Sequence, residues 1–306
     1  MYDLIIIGGG PAGVAAGIYA SRKKINALLV TKFFGGEWIS SDKIENFIGF
    51  KAISGLDLAK TLEEQLRSQP EPIAVKDGIT VSSIKKIEGG FEVADSGENT
   101  YQAKNILLAL GSGYKKLDVP GGKEFEGKGI FYCSTCDAPL MKGKNVAVIG
   151  AGNSGLEAAI DLLPYASEIN ILQYNDVIKG DAIYQEKLKA DPKVKIITNA
   201  VTKEVLGSDF VSGLKYTDAN TNEEKTLEVS GVFVEIGYKP NTDLIKGLVK
   251  LDERGHIIVD HKTFQSSEKG IWAAGDMADG LYNQFTTAMG DAVNAVLNIY
   301  ETLKVK

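Results

Sequence analysis

The chain of 306 residues is 44% hydrophobic and 24% charged, which excludes a disordered or fibrous protein, and its length suits about two domains of ordinary size. A formal net charge of -6 argues against a general nucleic-acid binder, which needs surplus Lys and Arg to neutralise phosphates. No apolar run approaches the roughly 18 residues that span a bilayer, and the first residues carry no basic segment or cleavage site of a secretory leader, so a cytoplasmic protein away from membranes is expected.

In chain order, residues 2–7 read as a buried strand running straight into Gly8-Gly-Gly-Pro-Ala-Gly13 and an alanine-rich helix to about Ser21. A G-x-G-x-x-G motif between a strand and a helix is a dinucleotide fingerprint. Gly8 permits the tight turn, Gly10 lets the backbone approach a pyrophosphate, and Gly13 lets the helix pack on the strand, with the helix N-terminus facing the phosphates. The second strand, over residues 25–30, should end in an acid for a ribose hydroxyl; Thr31 stands there instead. Gly35-Gly36 with Glu37-Trp38, residues 44–50 and Ala109-Leu-Gly111 carry little alone and read as loops. Residues 111–113 close a strand, and a basic irregular stretch leads on to Pro120-Gly-Gly122.

The chain's two cysteines form Cys133-Ser-Thr-Cys136, between residues 130–132 and Asp137-Ala-Pro139. The setting suggests a helix start, where backbone N–H groups stabilise a thiolate, and the spacing suits a reversible disulfide. Asp137 adjoins the pair and could carry a proton. The rival is zinc: His256 and His261 complete a Cys₂His₂ set in number. Structural zinc ligands come from compact local units, however, and these histidines lie far along the chain on an expected strand edge, where a solvated or packing role is simpler.

Asn145–Ile149, then Gly150-Ala-Gly-Asn-Ser-Gly155 and a helix to about Leu163, repeat the opening plan, which makes a domain-scale duplication of two doubly wound α/β units. After the strand over residues 169–172 a 2′-phosphate wants an Arg and a free 2′-hydroxyl wants an acid. The chain offers Gln173-Tyr174-Asn175, a late Asp176 and a single Lys179. The pyrophosphate cradle is kept without a determinant for NADPH or NADH, and a nucleotide site and a retained scaffold both stay open. A second crossover follows at residues 237–241, then short strands over 257–259 and 271–273, the latter capped by Gly275-Asp276, whose carboxylate could meet a ribityl or phosphate group. A last helix runs from about Gln284 to Leu303 with Ala288, Ala292, Ala295, Val296 and Ile299 on one face. The simplest assembly inserts residues 114–245 into a discontinuous domain of residues 1–113 and 246–306.

Taken in order, GGGPAG at 8–13, GGEW at 35–38, IENFIGF at 44–50, LALGS at 108–112, YCSTCDAP at 132–139, VAVIGAGNSGLEAA at 146–159, the 238–241 crossover, AAGDMAD at 273–279 and the helix at Gln284 resemble the low-molecular-weight thioredoxin reductases and their flavoprotein relatives over essentially the whole chain. The resemblance implies FAD in the outer domain. Gly8, Gly10, Pro11, Ala12 and Gly13 would cradle its pyrophosphate, and Gly35, Gly36 and Asn46 would line the isoalloxazine or ribityl side. Gly111 would also touch the cofactor, Asp276 would bind the ribityl–phosphate region, and the Gln284 backbone would approach the pyrimidine edge of the flavin. Thr31 in place of an acid also fits this family. Cys136 would be the sulfur beside the flavin, Cys133 would attack the disulfide of a thioredoxin, and Asp137 would be the acid/base. A homodimer and a rotating inserted domain are expected on the same ground.

NADPH-using members carry His-Arg-Arg and then Arg where this chain has Gln173-Tyr174-Asn175 and Lys179, and an Arg where it has Asn283. The chain is therefore most similar to the pyridine-nucleotide-independent branch, the ferredoxin-dependent flavin thioredoxin reductases, and reduced ferredoxin is the expected donor. The alternatives are an NADPH- or NADH-dependent reductase and a non-catalytic flavoprotein redox sensor. Arg22, Lys23 and Lys24, or Lys115 and Lys116, could dock an acidic ferredoxin, although such runs are more often plain solvated surface.

Overall fold

β1 (Tyr2–Ile7) is a central strand because both its faces are apolar: Leu4, Ile5, Ile6 and Ile7 are at most 1% exposed. Burying each such side chain contributes about 1.5–3 kcal/mol. Pro11 then starts α1 (Pro11–Arg22) with its φ already set for a helix. β2 (Ala27–Val30), α2 (Gly55–Arg67) and β3 (Ala74–Lys76) complete a parallel wing. Ser54 caps α2, its hydroxyl oxygen accepting from the Asp57 amide at 3.1 Å, and Leu58, Leu62 and Leu66 turn inward. On the other side of β1, β6 (Thr100–Leu108) runs parallel to it, after the hairpin of β4 (Val81–Ile87) and β5 (Gly90–Asp95). The order β3-β2-β1-β6-β5-β4 puts the topological switch, and hence the ligand crevice of such sheets, at the carboxyl ends of β1 and β6.

The structure is a computed structural model that describes residues 1–41, 44 and 46–304; Glu45 of the 44–50 motif lies outside them. The chain divides into two compact units, Met1–Gly113 with Lys239–Lys306, and Tyr114–Tyr238. β7 (Ser112–Tyr114) spans the first boundary in the chain. The second unit holds β8 (Ile130–Phe131), α3 (Ser134–Asp137), β9 (Asn145–Ile149), α4 (Asn153–Leu162), β10 (Glu168–Leu172), α5 (Ala182–Lys189) and β11 (Val194–Ile197). An antiparallel sheet of β12 (Ala200–Gly207), β13 (Val211–Asp218) and β14 (Glu223–Leu227) follows, and then β15 (Gly231–Val234). The parallel sheet has the order β11-β10-β9-β15-β8, with its switch at the carboxyl ends of β9 and β15. The fold is thus the expected pair of doubly wound α/β units.

At the two crossovers β16 (Tyr238–Pro240) pairs with β7. Two expectations need correction. The return to the first unit falls at Lys239 rather than 246, since Ile245 is fully buried in that unit's core. Residues 257–259 form no strand: Ile257 bridges Leu251 and Ala278, while Val259 bridges Ser266. The cause is local. The Asp252 carboxylate accepts from the Arg254 and His256 amides at 2.8 Å each, and that of Asp260 from Lys262 and Thr263 at 2.8 and 3.1 Å, so the chain turns before a ladder can grow. β17 (Ile271–Ala273) pairs β6, and α6 (Phe285–Lys304) buries Ala288, Ala292, Ala295, Val296 and Ile299 as its periodicity predicts. No described helix is long and apolar enough to cross a membrane.

Candidate active site

The first glycine turn is dictated by backbone crowding. Gly8 has φ +120°, and a Cβ there would overlap the Ala109 carbonyl; a Cβ on Gly13 would overlap the Gly8 carbonyl. Gly10 caps α1 without a side-chain bond, which leaves the amides of the first turn to an anion. The Gly35 amide donates to the Gly9 carbonyl at 3.0 Å, and this holds Gly36 close to Gly10. A Cβ on Gly275 would touch Ala12 and Ala288, so the turn carrying Asp276 abuts both helices. Burial raises the Asp276 carboxyl above its ordinary range, and Ser112 Oγ lies 3.5 Å away. Asn46 Nδ2 donates to Gln284 Oε1 at 3.3 Å, bringing together residues far apart in the chain. Gly111, at φ +63°, faces open space. Gly8, Gly10, Pro11, Ala12, Gly13, Gly35, Gly36 and Asp276 therefore meet around one crevice.

Sequence reasoning overlooked one residue here. Trp38 Nε1 is buried and has no acceptor among the described residues, and it lies near Gly36. A buried indole N–H needs a partner, so this orphan donor fits a ligand lying along the glycine turns. Thr31 explains the missing acid: it is buried, its hydroxyl donates to the Phe33 carbonyl at 2.7 Å, and a Cβ on Gly9 would overlap its Oγ1. The position is used for packing.

In the second unit Cys133 and Cys136 are joined in a disulfide. Cys133 caps α3, its sulfur accepting from the Cys136 amide at 3.3 Å. Cys133 is half-buried and Cys136 exposed. Ser134 Oγ donates to Asp161 Oδ2 at 2.7 Å and ties the short helix to α4. Burial raises the Asp137 carboxyl above its ordinary value, so it keeps a proton to higher pH than a surface aspartate. Burial also pushes the Tyr132 hydroxyl, beside the pair, up to about 12, with Glu126 accepting from it at 3.1 Å. The histidines belong to the other unit, His256 at 3.3 Å from Asp252 and His261 at 3.5 Å from Asp279.

The second glycine turn copies the first. Gly150 has φ +106° and a Cβ there would overlap the Glu235 carbonyl, while a Cβ on Gly155 would overlap the Gly150 carbonyl. Gln173, at the strand-end position, is buried and fully engaged. Its Oε1 accepts from the Ala151 amide at 3.0 Å, and its Nε2 donates to Asn175 Oδ1 at 2.7 Å and to the Val177 carbonyl at 3.0 Å. Tyr174 and Lys179 are exposed. Glu235, directly after β15, is pushed up to about 8 by burial first and then by the charges of Glu157 and Asp161.

The basic residues do not gather at the first crevice. Arg22 closes the far end of α1 and Lys23 and Lys24 follow it, about 18 Å of helix from the glycine turn. Lys24 pairs with Glu71 at 2.9 Å, and Lys23 lies over the Tyr300 ring. Lys116 pairs with Glu126 at 3.3 Å and lies 4.1 Å from the centre of the Tyr132 ring.

The pyridine nucleotide-disulphide oxidoreductase family matches residues 2–292. The F component of alkyl hydroperoxide reductase in Pseudomonas putida is 42% identical over 305 residues, 99% of this chain and 58% of that protein. A Bacillus subtilis protein named NADH dehydrogenase is 40% identical over 304 residues, again 99% of this chain and 58% of that protein. The chain thus spans less than three-fifths of the length of these curated relatives. Among solved structures, T. acidophilum thioredoxin reductase superposes with a TM-score of 0.86 at 38% identity, covering 99% of both chains. The ferredoxin-flavin thioredoxin reductase of Clostridium acetobutylicum does so with a TM-score of 0.54 at 30% identity, covering 100% of this chain and 99% of that one.

Proposed function

The chain belongs to the pyridine nucleotide-disulphide oxidoreductase family, as an FAD-dependent, thioredoxin reductase-like disulfide oxidoreductase, and from that premise we propose that it reduces the disulfide of a thioredoxin with electrons drawn from reduced ferredoxin. The observation that carries the reading is the Cys133–Cys136 disulfide at the start of α3 with the half-buried Asp137 next to it. FAD, when bound, accepts electrons singly or in pairs and delivers a pair to a disulfide. Gly8, Gly10, Pro11, Ala12 and Gly13 would cradle its pyrophosphate, with donors from the amides of the first turn of α1 other than Pro11, which has no N–H, and Gly35, Gly36, Asn46, Gly111, Asp276 and Gln284 would line the rest, with Trp38 Nε1 as a further donor.

Once two electrons have opened the bond, the Cys133 thiolate attacks one sulfur of the partner disulfide, and a mixed disulfide forms as the first partner thiolate leaves. Cys136 then attacks the Cys133 sulfur. The second partner thiolate leaves and the internal disulfide is restored. Asp137, whose carboxyl retains its proton more readily than usual, supplies a proton to a departing sulfur and is recharged from solvent. The balance is one partner disulfide, two electrons and two protons giving two partner thiols. In this scheme Cys136 would be the sulfur that takes electrons from the flavin, and the protein works as a homodimer.

The donor reading is supported by the engaged Gln173 and by Tyr174, Asn175 and Lys179, which stand where NADPH-using members carry cations. A second reading, reduction by NADH, is favoured by the name of the Bacillus subtilis relative. Anaerobic stopped-flow mixing separates them. Reduced ferredoxin should bleach the flavin absorbance and sustain turnover of thioredoxin disulfide, and rapid bleaching by stoichiometric NADPH or NADH would sink the ferredoxin reading.

A further inference from the structure

We propose that Asp161 is a positioning residue of the redox pair: through the Ser134 hydroxyl it holds the Cys133–Cys136 turn on α4 while the disulfide is closed, loosens when the disulfide opens, and so makes the open dithiol a stronger reductant. The inference rests on the disulfide-reductase reading above and is independent of which donor supplies the electrons.

The turn cannot hold itself. α3 spans four residues, and none of them is buried. A helix this short is unstable alone, because forming its first turn fixes several dihedrals for a single hydrogen bond. Its far end is anchored, since Ala138 and Met141 just after it are at most 3% exposed. Its near end carries the sulfur assigned to attack the partner. There the Cys136 amide donates to Cys133 Sγ at 3.3 Å and the Asp137 amide to the Cys133 carbonyl at 3.2 Å, bonds that stay within the turn. The bond from Ser134 Oγ to Asp161 Oδ2, at 2.7 Å, leaves the turn and reaches a firm mount. α4 is a ten-residue helix, and the neighbours of Asp161 on it, Ala158, Ala159 and Leu162, are at most 1% exposed.

An interaction stronger in one of two states shifts the equilibrium toward that state. The Ser134–Asp161 bond is formed in the disulfide state. Two changes weaken it on opening. The covalent closure of the turn is lost, which frees Ser134 to move with its one turn of helix. A thiolate on Cys133, next to Ser134 in the chain, also adds negative charge beside a carboxylate that already has like charges around it. Asp161 and Glu157 on α4 both act on Glu235 in this way, and among the described residues no Lys or Arg makes an ion pair with any of the three. Such repulsion is screened less in a partly buried site than at the surface. A bond to a charged acceptor is among the stronger hydrogen bonds, so its partial loss moves the equilibrium by a measurable factor. The disulfide is favoured, and the dithiol gives up its electrons more readily.

The test is equilibration of the FAD-loaded protein with mixtures of reduced and oxidised dithiothreitol. The protein disulfide takes two electrons and two protons from one reduced dithiothreitol, which closes to its own disulfide. Alkylation and mass measurement then count the open pairs in the wild type, Ser134→Ala, Asp161→Ala and the double variant, with flavin content and melting temperature reporting folding. Each single change should shift the equilibrium toward the dithiol by about three- to ten-fold, the worth of part of one hydrogen bond to a charged group. The double variant should shift it no further than the larger single change, because both remove the same bond. A folded Ser134→Ala with the wild-type equilibrium, or with a shift toward the disulfide, would overturn the inference. So would shifts that add in the double variant, since the two residues would then act apart. If Asp161→Ala fails to hold flavin, Ser134→Ala decides alone. The reductase reading fails separately: a wild type and variants that equilibrate as described, with no turnover of thioredoxin disulfide by any donor, remove that reading and leave this inference standing.

Discussion

In the first unit the glycine turn after β1 faces Ala109, and in the second the equivalent turn after β9 faces Glu235. Both turns need glycine at the same places for the same reason, a left-handed φ at the first glycine and carbonyl oxygens where Cβ atoms would sit at the first and last. The strand-end partners also correspond, Thr31 packing against Gly9 and Gln173 bonding to Ala151. The turn is a backbone device that a duplicated unit keeps because its own helix and strand require it. What the turn can bind depends on side chains that the turn itself does not fix. Shared geometry at a fingerprint therefore supports a fold more strongly than it supports a ligand.

The largest expected effect separates the units by task. Cys133→Ser should remove thioredoxin reduction altogether, below about a thousandth of the wild-type rate, while FAD stoichiometry read from the visible spectrum stays at one per chain. Retained turnover would show that the second unit's sulfurs are not the working pair. Asp137→Asn, an isosteric change beside that pair, should slow turnover by about 10²–10⁴-fold with little change in KM, the range for a lost general acid–base group. A changed KM with normal kcat would point to docking instead.

The glycine turns allow a matched pair of changes. Gly13→Ala places a methyl on the Gly8 carbonyl and should weaken FAD retention by about ten-fold or more, measured by flavin release on dilution. Gly155→Ala makes the same overlap in the other unit and should lower the melting temperature by several degrees without loss of flavin. Equal flavin loss from both would break the comparison.

The smallest effect is in pH dependence. The Glu235 carboxyl, near 4.5 when unfolded and about 8 when folded, binds more protons in the native state between those values. Stability therefore falls as pH rises from about 5 to about 8, and above that the penalty is complete, a few kcal/mol at most. Glu235→Gln should flatten that decline in melting temperature measured on the FAD-loaded protein. An unchanged slope would mean that the carboxyl is solvated.

The dithiol pair, both fingerprints and the buried face of α6 are legible in the sequence because each depends on residues close together in the chain, with periodicity or spacing as the signal. Trp38 and Glu235 are not. Trp38 matters through a buried N–H whose lack of an acceptor appears only once Phe285 and Gly36 pack around it. Nothing in the residues around Glu235 marks it out, and only the placing of β15 beside β9 brings its backbone carbonyl against Gly150. Residues 257–259 have the pattern of a strand, yet the turns at Asp252 and Asp260 give each residue a different partner. The amino-acid order by itself determined where the backbone turns, which helices bury which face, and which two sulfurs can bond, since these are settled by sterics and by contacts a few residues apart. Tertiary structure alone decided which residue stands opposite each glycine turn, because that depends on strands brought together from distant parts of the chain, where burial sets how readily a carboxyl ionises.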